Sequence, residues 1–320
     1  MHELGISSIH PDAPAMFSAA AIMRAPIDVD AAVDRFASLW GETIVPRWEV
    51  VDEDAGDAGR VLHFEVDGVH VLLTPVNHGL TLEKGQLPLH RFHVAASFFA
   101  PDTSDAEANP DAEPAPDAEP APGAGSTNDD EPSASAVASA AAPSATSAAA
   151  PALASSERAP AHGPAEEMEE LRRRHRMVSA HVVFTEVMDA LMREPAAIGV
   201  YRDELGVLMP PSMVTKLAEL LTTGQAPLPL WVNVRVHKHD LTFGRTLGLT
   251  SFGHLDLQVR DSTRSEEEVY NLLANVANYI VTGETYLLPS QTLGYTDGGQ
   301  IVISQEVSQA DGATVIRLDF

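Results

Sequence analysis

An α+β fold with a largely antiparallel sheet is predicted by three features of this sequence. Short strand-like runs outnumber helical stretches, hairpins are common, and tight-turn signals such as Asp67-Gly68 join neighbouring runs. With 320 residues and 44% hydrophobic content the chain can bury a sizeable core, as one large domain or two αβ lobes with helices packed on the sheet. A long insertion interrupts it.

The first run, "MFSAAAIM" (16–23), reads as a strand. "DVDAAVDRFASLWG" (28–41) reads as a helix with Val29, Val33, Phe36 and Trp40 on one stripe and Gly41 as its stop. In "RVLHFEVDGVHVLLTPV" (60–76), Leu62, Phe64 and Val66 alternate with His63, Glu65 and Asp67, and Asp67-Gly68 supplies a type I′ hairpin turn. "RFHVAASFF" (91–99) gives a further strand. From 101 to 170 the composition changes to a short acidic repeat, "DAEPAPDAEPAP", and then an Ala/Ser/Pro tract. Such a stretch buries too little apolar surface to offset its ordering entropy, so it is expected to be disordered.

After the insertion, "EEMEELRRRHR" (166–176) reads as a short helix and "MVSAHVVF" (177–184) as a strand. "AAIGVY" (196–201) reads as another strand, and Ser212 as the cap of a helix ending at Gly224. Three strand-like runs follow between Leu230 and Arg260. The strongest helix is "SEEEVYNLLANVANYIVTG" (265–283), with a Ser265/Glu268 capping box, a buried stripe of Val269, Leu272, Leu273, Val276 and Ile280, and Gly283 just past its end. "YTDGGQ" (295–300) reads as a hairpin turn, and a last hairpin closes the fold. The expected division is an N-terminal αβ lobe at 14–100, the insertion at 101–170 and a C-terminal α+β domain at 171–320.

The C-terminal runs "TLGLTSFGHLDLQV" (246–259), "QTLGYTDGGQIVIS" (291–304) and "DGATVIRLDF" (311–320), with the helix containing Tyr279, resemble the bacterial domain-of-unknown-function family numbered 4261. The likeness spans most of 175–320. It departs from the family pattern at Pro289-Ser290-Gln291, where the family has Asp-Gly before a Thr-Ile/Leu-Gly motif. The resemblance implies an α+β fold and brings no activity, substrate or catalytic residue. Its Gly and apolar positions suit turns and cores.

Composition excludes several chemistries. No cysteine is present, so no disulfide framework, thiolate metal site or nucleophilic thiol exists. A formal charge of -26 opposes nucleic acid as a partner, and about -16 remains when residues 101–160 are set aside. No run approaches a membrane span and the first residues lack a leader pattern, so a cytoplasmic location is expected.

The run "VRVHKHD" (234–240) carries the main candidate chemistry. Strand alternation puts Asn233, Arg235, His237 and His239 on one face, and in "HLDLQVR" (254–260) it puts His254, Asp256, Gln258 and Arg260 opposite Leu255, Leu257 and Val259. His237, His239, His254 and Asp256 are therefore the candidate metal set, of ligand types that suit zinc or iron. An intervening strand (241–249) would hold the two rows about 9–10 Å apart, which opposes convergence, as do Arg235, Lys238 and Arg260 beside them. His93 and His181, in apolar runs, read as hydrogen-bonded core histidines. The Glu65/Asp67 and Asp203/Glu204 pairs read as surface charge.

Three functional readings stand. The first is a non-enzymatic protein-binding or regulatory module that uses a sheet face or the groove between lobes, with a protein partner. The second is a metal-assisted hydrolase using the His/Asp face, and the third an acidic immunity-type protein that binds a basic partner. The oligomeric state is not encoded in any motif. Deleting residues 101–165 is expected to leave a single cooperative melting transition. Loss of cooperativity in scanning calorimetry would show that the segment belongs to the fold.

Overall fold

Period-two alternation and tight turns build two sheets around helices that fill the space on their inner faces. In the computed structural model the described residues are 9–51, 59–82, 85–100, 164–283, 285–295 and 299–320, with side chains of the long helix described from 168 onward. The expected insertion lies outside the described residues as far as 163, and 164–170 are helical.

The first sheet contains β1 (Met16–Met23), β2 (Arg47–Val50), β3 (Arg60–Val66), β4 (Val69–Val76), β5 (Phe92–Phe99), β6 (Ala197–Arg202) and β7 (Val207–Met209). Their spatial order is β2-β3-β4-β5-β1-β6-β7, and every pairing is antiparallel. Asp67 (φ 51°) and Gly68 (φ 74°) both lie in the left-handed region, as the type I′ turn between β3 and β4 requires. Phe17, Ala19, Ala21 and Met23 of β1 face the main core. Ala20 and Ile22 face a small outer cluster with Tyr201, Leu80 and Leu87. β6 and β7, expected with the C-terminal part, thus complete the N-terminal sheet.

Helix α1 (Val29–Trp40) begins at Asp28, whose side chain accepts from Ala31 N–H at 3.1 Å, and ends at Gly41 in the left-handed conformation. The long helix α2 (Pro164–Met192) corrects the expected strand at 177–184, which lies inside it. Met177, Ala180, His181, Val183, Phe184, Val187, Met188 and Leu191 are buried on one broad face, and Val178 and Val182 on the opposite face are apolar as well. A run apolar on both faces carries no amphipathic stripe, and periodicity cannot tell it from a buried strand. His181 accordingly lies on a helix, where its Nδ1–H donates to Met177 O at 2.8 Å. Helix α3 (Pro211–Ala218) starts from Pro210, not from a Ser212 cap, and a separate 3₁₀ turn (Leu221–Thr223) leads to Gly224.

The second sheet follows the short helix α4 (Leu228–Trp231) and contains β8 (Asn233–Lys238), β9 (Thr242–Leu247), β10 (Leu257–Ser262), β11 (Thr292–Gly294), β12 (Gln300–Val307) and β13 (Thr314–Asp319). Its order is β11-β12-β13-β10-β9-β8, with β10 and β13 parallel and the other pairs antiparallel. Helix α5 (Glu266–Gly283) lies on its inner face and carries the expected capping box, with Glu268 N–H donating to Ser265 Oγ at 3.2 Å and Ser265 N–H to Glu268 Oε2 at 2.9 Å. Gly283 is its last residue instead of following it. Close approach of α5 depends on Gly244 of β9, where an added Cβ would sit 2.6 Å from Val269 Cγ1.

Buried residues of both sheets form one continuous core. At its centre His181 stacks on Phe17 (4.1 Å between ring centroids) and meets Phe252 (4.5 Å) and Trp231 (5.8 Å), while Phe184 packs edge-on to Phe98. Arg202 of β6 is buried over Phe17 and Phe184, pairs with Glu204 and donates to Leu230 O at 3.3 Å, which ties the first sheet to α4. Phe184→Ala is expected to cost about 3–5 kcal/mol in urea unfolding with an unchanged slope. A loss below about 1 kcal/mol would contradict this packing.

Candidate functional site

The four sequence candidates fall into two environments. His237 and His239 are exposed at β8, the edge strand of the second sheet, with ring centroids 6.1 Å apart and His237 against Phe243 at 4.9 Å. His254 and Asp256 are buried, at 0% and 8% exposure. Both precede β10, which begins only at Leu257, and they follow Gly253 in the left-handed conformation, so strand alternation does not govern where they point. Among the described residues no three His, Asp or Glu side chains are grouped to share a metal ion.

Asp256 instead caps a turn. Its Oδ1 accepts from Thr246 Oγ1 and from Leu249 N–H, each at 3.1 Å, and burial outweighs these bonds to push its carboxyl up to about 6. His254 works with His10, which no motif in the sequence had singled out. Leu255 N–H donates to His10 Nδ1 at 3.1 Å, so His10 Nε2–H donates to Leu287 O at 3.0 Å. Leu287 N–H donates to His254 Nε2 at 3.1 Å, so His254 Nδ1–H donates to Leu255 O at 2.5 Å. The two imidazoles, 4.1 Å apart, thereby complete the backbone hydrogen bonds of both Leu255 and Leu287. All four ring nitrogens are used, and both rings must be neutral.

Tyr286 continues this cluster toward α2. Its ring lies 5.3 Å from His10 and 4.4 Å beneath the guanidinium of Arg174, and its hydroxyl donates to Glu170 Oε1 at 2.8 Å. Burial pushes the Tyr286 hydroxyl well above its usual range. Arg174 is 2% exposed and donates from Nη2 to Ile280 O at 2.9 Å. Its Nη1 meets no acceptor, and Arg174 has no ion pair, among the described residues.

From Arg174 a ridge at every fourth position runs along α2 through Val178 and Val182 to Glu186. This ridge floors a cleft of about 700 Å³. Leu39 and Trp40 at the end of α1, Leu221 and Ala226 of the loop after α3, and Val281 of α5 also line it, so it lies between the two halves of the fold. Its lining is mainly apolar, with His175, Thr222, Gln225 and Thr282 among the walls and Arg174 and Glu186 at the ends of the ridge, the usual character of a ligand site. Glu186 is held up at about 7 by burial, then by the charges of Glu42 and Asp67, so near neutral pH it is both donor and acceptor. Sequence reading passed over both end groups because Arg174 sits in a charged run read as a short helix and Glu186 just past the run read as a strand.

The histidine pair gives the molecule an acid limb. Burial, helped by the Arg174 charge, lowers His10 from 6.5 to about 4, and burial with the His10 and Arg174 charges holds His254 well below the usual range. An unfolded chain takes up protons at these rings near 6.5 and the folded one does not. The stability they lend is therefore full above 6.5 and is lost as pH falls toward 4. His10→Phe is expected to cost about 2–4 kcal/mol near neutral pH, where Leu255 N–H and Leu287 C=O lose their partner. It should also flatten the acid limb. Urea unfolding at a series of pH values measures both, and parallel pH curves for the two chains would remove His10 from that limb.

No curated protein and no solved structure matches this chain. The expected likeness over 175–320 is matched over a narrower span, which takes in the second half of β9, β10 to β13, α5 and the His254–Tyr286 region but not α2 or its ridge. Residues 245–319 match the family model described as a domain of unknown function (DUF4261), and that C-terminal part is what this chain has in common with the family.

Proposed function

We propose that this chain is a non-enzymatic binding and regulatory module whose recognition site is the cleft along α2. The observation that carries this reading is the cleft itself: about 700 Å³ between the two halves of the fold, mainly apolar, with a buried guanidinium at one end of its floor and a part-protonated carboxyl at the other. The buried histidines support it from the other side. With every ring nitrogen of His10 and His254 bonded to backbone, these residues hold the fold and are not free for proton transfer or ligation.

Of the two surfaces expected from the sequence, a sheet face and a groove between halves, the reading adopts the groove. A ligand there touches α1, α2, α5 and the loop after α3 together. Its binding energy is available to shift any equilibrium that moves those elements relative to one another.

The absence of cysteine makes a direct test simple, because Thr222→Cys at the rim of the cleft is then the sole thiol. Carrying a photo-cross-linker, this chain is expected to form a discrete adduct in extract of cells that produce it. Val182→Phe, which fills the floor, is expected to suppress that adduct. Equal labelling of the filled and open chains would move recognition away from the cleft.

A further inference from the structure

We infer that the α2 cleft binds a free, chain-like molecule with an apolar body and a single carboxylate head, the head seated at Arg174. The inference rests on the reading of the cleft as the recognition site and names what it takes.

The head group follows from Arg174. The side chain is 2% exposed, one of its nitrogens donates to Ile280 O, its plane lies over the Tyr286 ring, and Nη1 is left without an acceptor among the described residues. Arg173 and Arg176, its neighbours on α2, pair with Asp12 and Glu169, whereas Arg174 has no ion pair among the described residues. Burying a guanidinium without a direct ion pair is costly, and Ile280 O with the ring and hydroxyl of Tyr286 recovers only part of that cost. A carboxylate matches the planar fork of arginine better than it matches a lysine ammonium. A single charge fits best, because Glu186 closes the far end and the chain as a whole carries -26, both of which oppose a second negative group.

The body follows from the shape. Arg174 and Glu186 lie about 18 Å apart along the helix at 1.5 Å per residue. That length, over a floor of Val178 and Val182, suits an extended hydrocarbon chain. Val178, Val182 and Leu39 offer that chain apolar contact, while Thr222, Gln225 and Thr282 on the walls can meet a polar terminus.

Trp40 and Trp231 line the cleft and make two of the three tryptophans, so their emission reports occupancy directly. The probes are dodecanoate, dodecanol and dodecyltrimethylammonium, each titrated below its micelle concentration into the full chain. The expected result is saturable binding of one dodecanoate, about tenfold or more tighter than dodecanol. Arg174→Met should abolish that preference, Arg174→Lys should keep part of it, and Val182→Phe should weaken all three probes. Thermal melting of each variant establishes that it is folded. Should Arg174→Met fail to fold, the head-group series on the natural chain and Arg174→Lys still decide. Equal affinity for the three heads, a preference untouched at Arg174, or no saturable binding of dodecanoate overturns the inference. If dodecanoate fails while the Thr222→Cys adduct remains sensitive to Val182→Phe, the ligand class falls and the cleft stands as the site.

Discussion

The rest of this fold depends on covering helix α2 from all sides. Sheet strands β1, β4, β5 and β6 lie along one side, α1 and α3 flank it, and the 3₁₀ turn at Leu249–Phe252 closes over it. A helix buried this way must satisfy its polar side chains internally, since water cannot. Thr185 Oγ1 donates to His181 O and accepts from Trp231 Nε1, and Asp189 pairs with Arg193 one turn on. From Ala180 to Met192 cover is incomplete only at Val182 and Glu186, and there, with Val178 one turn earlier, the cleft opens. Scaffold and candidate site are thus two sides of one element.

Much of the architecture was readable wherever one face of an element meets water. β1, the β3–β4 hairpin and α1 announce themselves through alternation, an Asp-Gly turn and a capped stripe, because each has a wet side that keeps the pattern legible. "MVSAHVVF" has a single exposed residue, Ser179, and no polar stripe. Its apolar, β-branched residues meet a sheet, two helices and a turn, so the helical period is present in the backbone and absent from the composition.

The site was harder to read than the fold, for a different reason. His254 and Asp256 were grouped with His237 and His239 by extending strand alternation through Gly253, where the chain turns and the rule lapses. His10 and His254 are 244 positions apart in sequence, so their stacking is a tertiary fact that local pattern does not contain. Arg174 and Glu186 are spaced as a helical ridge, which becomes meaningful only once the strand reading of the intervening residues is given up. What marks Arg174 is a buried Nη1 with no acceptor among the described residues, and that is a property of packing.

The parallel pairing of β10 with β13 bears on how the molecule is made. β8, β9 and β10 are neighbours in sequence and can zip together locally, but the other edge of β10 is filled by Leu257–Ile316 pairing across α5, β11 and β12. Loop closure over that distance is entropically expensive and comes before the contacts that reward it. During synthesis β10 therefore waits with one edge unsatisfied while α5 already shields its inner face. The same residues that end up at the centre of the second sheet spend the interval as an open edge, where pairing between nascent chains competes with completion of the sheet.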